Sequence, residues 1–128
     1  MSKQAKMILL VEDNDLVRWV VEETLREAGF DVVSTSTAVA ARQAFAAEPD
    51  AFLAVITDVR LSGRLDGCKF AEQLHELNST TPVLYLTGVG RKDLQQRGVP
   101  ESSILAKPFT GDQLVLSLTN AVELLAGL

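Results

Sequence analysis

Four short apolar runs in this chain each stop at residues with chemistry to offer. Met7-Ile8-Leu9-Leu10-Val11 stops at Glu12 and Asp13, and Leu53-Ala54-Val55-Ile56-Thr57 stops at Asp58. Val83-Leu84-Tyr85-Leu86 stops at Thr87, and Ile104-Leu105-Ala106 stops at Lys107-Pro108. Runs that are apolar throughout suit a parallel sheet covered on both faces. Helical stretches lie between them, and a repeating strand–helix order calls for a doubly wound sheet with right-handed crossovers. In such a sheet the carboxyl ends of the strands share one edge, where ligands bind at the topological switch point. The chain thus predicts three carboxylates, a hydroxyl and an ammonium at a single edge.

The connecting segments fit that order. Val17, Val20, Val21, Thr24, Leu25 and Ala28 recur at helical spacing and predict a first helix over about 15–28, closed by Gly29. A second strand is expected over 30–35, then a helix capped by Ser36 or Thr37 that ends before Pro49. Residues 59–65 read as a loop, with Asp66 able to cap a third helix whose apolar face is Phe70, Leu74 and Leu77. A short fourth helix over 92–96 is cut off by Gly98 and Pro100. The fifth strand is expected over 103–106. Thr110 and Gln113 have capping-box spacing and open a last helix with Leu114, Leu118, Ala121, Val122 and Leu125 inward.

At 128 residues the chain has the length of one domain with a real core, and residues 1–128 read as that single domain with no effector domain attached. Twelve Lys and Arg against seventeen Asp and Glu give a net charge of −5, which argues against direct nucleic-acid binding. A lone Cys68 excludes an internal disulfide and a cysteine zinc site, and fits a reducing compartment. No apolar run approaches the roughly 20 residues that span a bilayer, and the start lacks a signal-peptide pattern, so a cytoplasmic location without membrane contact is expected.

Hard divalent cations take oxygen ligands, and magnesium commonly takes one or two carboxylates with substrate phosphate and water. Asp13 and Asp58 can supply them. Carboxylates crowded in one pocket repel one another unless a cation neutralises them. A carboxylate can also act as a nucleophile toward phosphorus. Lys107 and Thr87 would then offset charge on the phosphoryl oxygens and donate a hydrogen bond to them.

These segments, in this order, resemble the receiver domain of two-component response regulators over nearly the whole chain. The resemblance implies a flavodoxin-like fold, a five-stranded parallel sheet in order 2-1-3-4-5 with five helices. It implies Asp58 as phosphoacceptor and Mg2+ (or Mn2+) held by Asp13, Asp58 and the Arg60 backbone carbonyl, with Glu12 acting through water. Thr87 and Lys107 take the switch and phosphoryl-binding roles, and the Lys107–Pro108 bond is expected to be cis. The implied function is a signalling module, not a metabolic enzyme, which catalyses only its own phosphorylation and dephosphorylation. It receives a phosphoryl group from a histidine kinase or histidine phosphotransfer protein and signals to a protein partner. Arg60 and Val89 occupy positions that resemble gatekeepers of the hydrolytic water.

The chain also departs from the pattern. Ile104 stands where an aromatic residue is common, Ser62 where the loop often has proline, and the fourth helix is short. Trp19 lies off the apolar stripe of the first helix and is a candidate for either partner docking or partial packing. His75 reads as a solvated side chain, Cys68 as packed or partly exposed, and Tyr85 as core. Two other functions compete. An aspartate-nucleophile phosphohydrolase needs a second acid two residues after the nucleophile, where this chain has Arg60. An unphosphorylated scaffold would not need the intact set of Glu12, Asp13, Asp58, Thr87 and Lys107. Neither a Gly-x-Gly-x-x-Gly fingerprint nor a Walker loop follows the first strand, which disfavours flavin and nucleotide binding.

Overall fold

A computed structural model describes residues 7–60, 67–88, 91–100 and 103–126. Its elements are β1 (Met7–Val11), α1 (Asp15–Glu27), β2 (Asp31–Thr35), α2 (Ala38–Ala47), β3 (Phe52–Asp58), α3 (Gly67–Leu77), β4 (Val83–Thr87), α4 (Arg91–Gln96), β5 (Ile104–Ala106) and α5 (Gly111–Ala126). The strands form one sheet in the order β2-β1-β3-β4-β5, and every pairing is parallel. The flavodoxin-like architecture expected from the sequence is therefore present.

Each strand sends alternate side chains to opposite faces, so a fully apolar run feeds two cores at once. Leu9 and Val11 join Val55, Val83, Tyr85 and Ile104 on one face, beneath Phe45 of α2, Phe70 and Leu74 of α3, and Leu94 of α4. Ile8 and Leu10 join Ala54, Ile56, Leu84, Leu86 and Leu105 on the other, beneath Val21 and Leu25 of α1 and Leu114 and Leu118 of α5. Phe45 and Phe52 stack with centroids 5.7 Å apart.

Local signals set the helix ends. Asn14 caps α1 by accepting the Val17 N–H at 2.9 Å, and Thr37 rather than Ser36 caps α2 by accepting the Ala40 N–H at 3.1 Å. Thr110 and Gln113 form the expected reciprocal box: the Thr110 N–H donates to Gln113 Oε1 at 2.8 Å, and the Gln113 N–H donates to Thr110 Oγ1 at 3.1 Å. Gly29 and Gly98 have φ of 98° and 90°, a region closed to most side chains. At Gly98 the two closing hydrogen bonds are Gly98 N–H to Gln95 O and Val99 N–H to Leu94 O. This Schellman closure ends α4 after six residues and turns Val99 back onto the core.

Two expectations need correction. Val20, placed on the buried stripe of α1, is 45% exposed and continues a surface patch with Leu16 and Trp19. The apolar arc of α1 is wider than the strip covered by the sheet and α5. Leu77 is 47% exposed because it is the last residue of α3, where the chain leaves the helix. His75 is exposed, as expected, and its Nε2 lies 2.9 Å from Thr81 O, tying the end of α3 to the lead-in of β4. Cys68 and Tyr85 are buried, as core packing requires. The Ser62 loop, the Asp66 cap, Val89 and the Leu125 side chain lie outside the described residues.

Candidate functional site

The carboxyl edge gathers the predicted residues. β1 and β3 are neighbours, so Glu12 and Asp13 at the end of one meet Asp58 at the end of the other. One carboxylate oxygen from each of these three residues lies within 4.8 Å of the others. β4 and β5 bring Thr87 and Lys107 alongside, and the Lys107 N–H donates to Thr87 O at 2.8 Å. A cavity of about 310 Å3 is lined by Asp58, Val59, Arg60, Thr87, Gly88 and Lys107. The Lys107–Pro108 bond is cis, as expected.

Lys107 Nζ bridges the acids, 3.2 Å from Glu12 Oε1 and 3.1 Å from Asp58 Oδ2. Glu12 is completely buried, whereas Asp13 is exposed. The remaining Glu12 oxygen, Oε2, accepts the Asn14 N–H at 3.0 Å. Burial pushes the Glu12 carboxyl above the ordinary carboxylate range, and the Asp58 charge adds to this. The Asn14 N–H and Lys107 pull the other way without cancelling the rise. For Lys107, burial disfavours the charged form. The Asp58 hydrogen bond and the negative charges of Glu12 and Asp58 outweigh that, and its pKa is raised.

Asp58 is held at several points. Its Oδ1 accepts the Arg60 N–H at 3.2 Å, and its backbone carbonyl accepts the Thr57 hydroxyl at 2.9 Å. Arg18, Asn14 and Thr57 were not foreseen as parts of this site. Arg18 Nη1 donates to Glu12 O at 2.9 Å, and Nη2 meets Asp15. The only hint of Arg18 was its position one turn into α1, directly after the acidic pair. Arg60 is exposed. Trp19 is 60% exposed, beside Leu16 at 69%.

The donor set fits a hard divalent cation. All three candidate ligands are oxygen donors, and the Lys107 ammonium bridges two of them, Glu12 and Asp58. The site can also hold a carboxylate nucleophile beside a buried hydroxyl and a cation, the elements of phosphoryl chemistry.

A parallel doubly wound sheet with acids, a threonine and a lysine at its switch point defines an α/β domain of the ligand-binding, doubly wound class. Residues 8–119 match the sequence model of the response regulator receiver domain. The chain belongs to that family, whose members are signalling modules rather than classical enzymes. Among solved structures, a response regulator receiver protein from Sinorhizobium medicae WSM419 is 31% identical, with a TM-score of 0.86 over 97% of this chain and 99% of that one. The receiver domain of a sensor histidine kinase from Pseudomonas aeruginosa PAO1, described with a magnesium ion in its active-site cleft, is 25% identical with a TM-score of 0.79, over 93% and 98% of the two chains.

The C4-dicarboxylate transport transcriptional regulatory protein DctD of Rhizobium meliloti is 32% identical over 96% of this chain and 26% of its own length. The DNA-binding transcriptional regulator NtrC of Escherichia coli K12 is 26% identical over 94% of this chain and 25% of its own. The chain thus spans about a quarter of the length of these two regulators, and the DNA binding named for NtrC is a property of that larger protein. Among the described residues, no helix is long and apolar enough to cross a membrane.

Proposed function

We propose that the chain is a phosphoacceptor module whose Asp58 takes a phosphoryl group from a histidine kinase or histidine phosphotransfer protein. The observation that carries this reading is the convergence of Glu12, Asp13 and Asp58 oxygens within 4.8 Å, with Lys107 Nζ 3.1 Å from Asp58. An Asp58 carboxylate oxygen attacks phosphorus, the donor's P–N bond breaks, and the histidine leaves as neutral imidazole after gaining a proton. The product on Asp58 is an acyl phosphate. The Arg60 N–H on Oδ1 and the Thr57 hydroxyl on the backbone carbonyl orient the nucleophile.

Mg2+ (or Mn2+) would be held by Asp13, Asp58 and the Arg60 carbonyl, with Glu12 acting through water, and would offset charge on the phosphoryl group. Lys107 would turn from the carboxylates toward a phosphoryl oxygen, and Thr87 would donate a hydrogen bond to another. The resulting pull on the ends of β4 and β5 shifts a two-state equilibrium that a protein partner reads. Ile104 lies beside Tyr85 in the sheet and is buried, so the readout in this chain falls on the segment after β4 rather than on an aromatic at 104. Leu16, Trp19 and Val20 form an exposed apolar strip beside the acidic pair, and we assign phosphodonor docking to it.

Acetyl phosphate with magnesium tests the reading. Intact mass should rise by one phosphoryl unit, and Asp58→Asn should abolish the gain. Undiminished labelling of that variant would move the acceptor elsewhere.

A further inference from the structure

The first residue of α3 is pressed against the main chain of the candidate phosphoacceptor. A Cβ placed on Gly67 would lie 2.3 Å from Asp58 O, 3.1 Å from Val59 Cα and 3.2 Å from Asp58 C. All three are backbone atoms, which cannot swing aside as a side chain can. The Gly67 N–H also donates to Val59 O at 2.8 Å. Asp58 O is held on another side by the Thr57 hydroxyl at 2.9 Å. The peptide between Asp58 and Val59 is therefore clamped between its own strand and the start of α3, and only a residue without a side chain leaves room for that clamp.

We propose that Gly67 is a positioning residue for the phosphoacceptor: the close approach of its backbone sets where the Asp58 carboxylate and the Arg60 carbonyl stand. The inference rests on the proposed role of Asp58. Ordinary van der Waals contact begins at 3.4 Å, so any side chain at 67 forces a separation of about 1 Å between α3 and the end of β3. A misplacement of about 1 Å in a reacting group can cost about 100-fold in rate. The Arg60 N–H that orients Asp58 Oδ1 lies one peptide beyond Val59, so it moves with the same segment.

The test sets Gly67→Ala against Gly111→Ala. Gly111 is also tightly packed, its added Cβ lying 3.2 Å from Thr24 Cγ2, but that contact joins α5 to α1 away from Asp58. Magnesium affinity by titration calorimetry and the rate of labelling by acetyl phosphate are measured well below each variant's melting temperature. Gly67→Ala should weaken magnesium binding about tenfold and slow labelling about 10- to 100-fold. Gly111→Ala should leave both readouts within about twofold of wild type. Equal readouts in the two variants would overturn the inference.

Should Gly67→Ala fail to fold, exchange of the wild-type Gly67 amide decides. Its protection should rise when magnesium and beryllofluoride are added, and unchanged protection overturns the proposal. A wild-type chain that is not labelled at Asp58 overturns both this inference and the functional reading. Normal wild-type labelling with an unaffected Gly67→Ala overturns this one alone.

Discussion

Lys107→Met removes the ammonium that joins Glu12 to Asp58 while keeping most of the apolar stem. At 3.1 and 3.2 Å, with an effective dielectric constant of about 20, each pair is worth about 5 kcal/mol of gross attraction. Desolvating the lysine and the buried Glu12 takes back several kcal/mol. The Lys107 side chain is 26% exposed and that of Glu12 only 1%. Stripping a buried charge of its partner costs about 3–5 kcal/mol, and the partial exposure of Lys107 points to the low end, about 3 kcal/mol. For a chain of this size that lowers the melting temperature by about 12 °C.

The loss should depend on pH with a definite sign. In the folded state the Glu12 carboxyl is held above the ordinary range, so its ionisation opposes folding as pH rises past that range. Lys107 offsets this opposition. Its own raised pKa keeps the ammonium charged until pH climbs through the folded value above about pH 10, so on the acid side its contribution changes only as the carboxyls it pairs with are protonated. Without Lys107 the Glu12 carboxyl rises further and is protonated more readily. The deficit should therefore be largest at neutral pH and shrink as pH falls and the Glu12 carboxyl takes up its proton. Magnesium should restore much of it at neutral pH by replacing the missing positive charge. Thermal and urea unfolding in EDTA and in magnesium, at neutral and at acid pH, measure this. An equal deficit in all four conditions would refute the electrostatic argument and leave Lys107 as a packing residue.

Asp13→Ala should weaken magnesium binding at least tenfold and slow phosphorylation; equal affinities by titration would remove Asp13 from the ligand set. Intrinsic dephosphorylation should be slow, because a valine at 89 cannot orient a water and the Arg60 guanidinium carries donors only. Arg60→Asn/Val89→Glu should speed decay of the phosphorylated form, and a double variant decaying at the wild-type rate would end the gatekeeper argument. Beryllofluoride should change hydrogen exchange within residues 88–110, with the shift in the segment after β4; a silent 88–110 would count against the switch.

Much of the protein could be read locally. The five strands, the early end of α4 at Gly98 and the box at Thr110 and Gln113 follow from patterns spanning a few residues, whereas Glu12, Asp13, Asp58, Thr87 and Lys107 stand out only through their joint order at strand ends. Short-range signals suffice there because caps, turns and periodicity act within one or two turns of chain. The strand order came from family resemblance, since alternation of strand and helix permits other orders.

What only the tertiary structure decided lies between segments far apart in sequence. Lys107 is 95 residues from Glu12, and only the juxtaposition of β1, β3, β4 and β5 puts its ammonium between two carboxylates. Val20 and Leu77 obey helical periodicity yet stay exposed, because periodicity gives a face and not the extent of what covers it. In the sequence Gly67 marks, with Asp66, only the start of the third helix. Its constraint appears only when α3 is laid against the end of β3 and no space is left for a single methyl group.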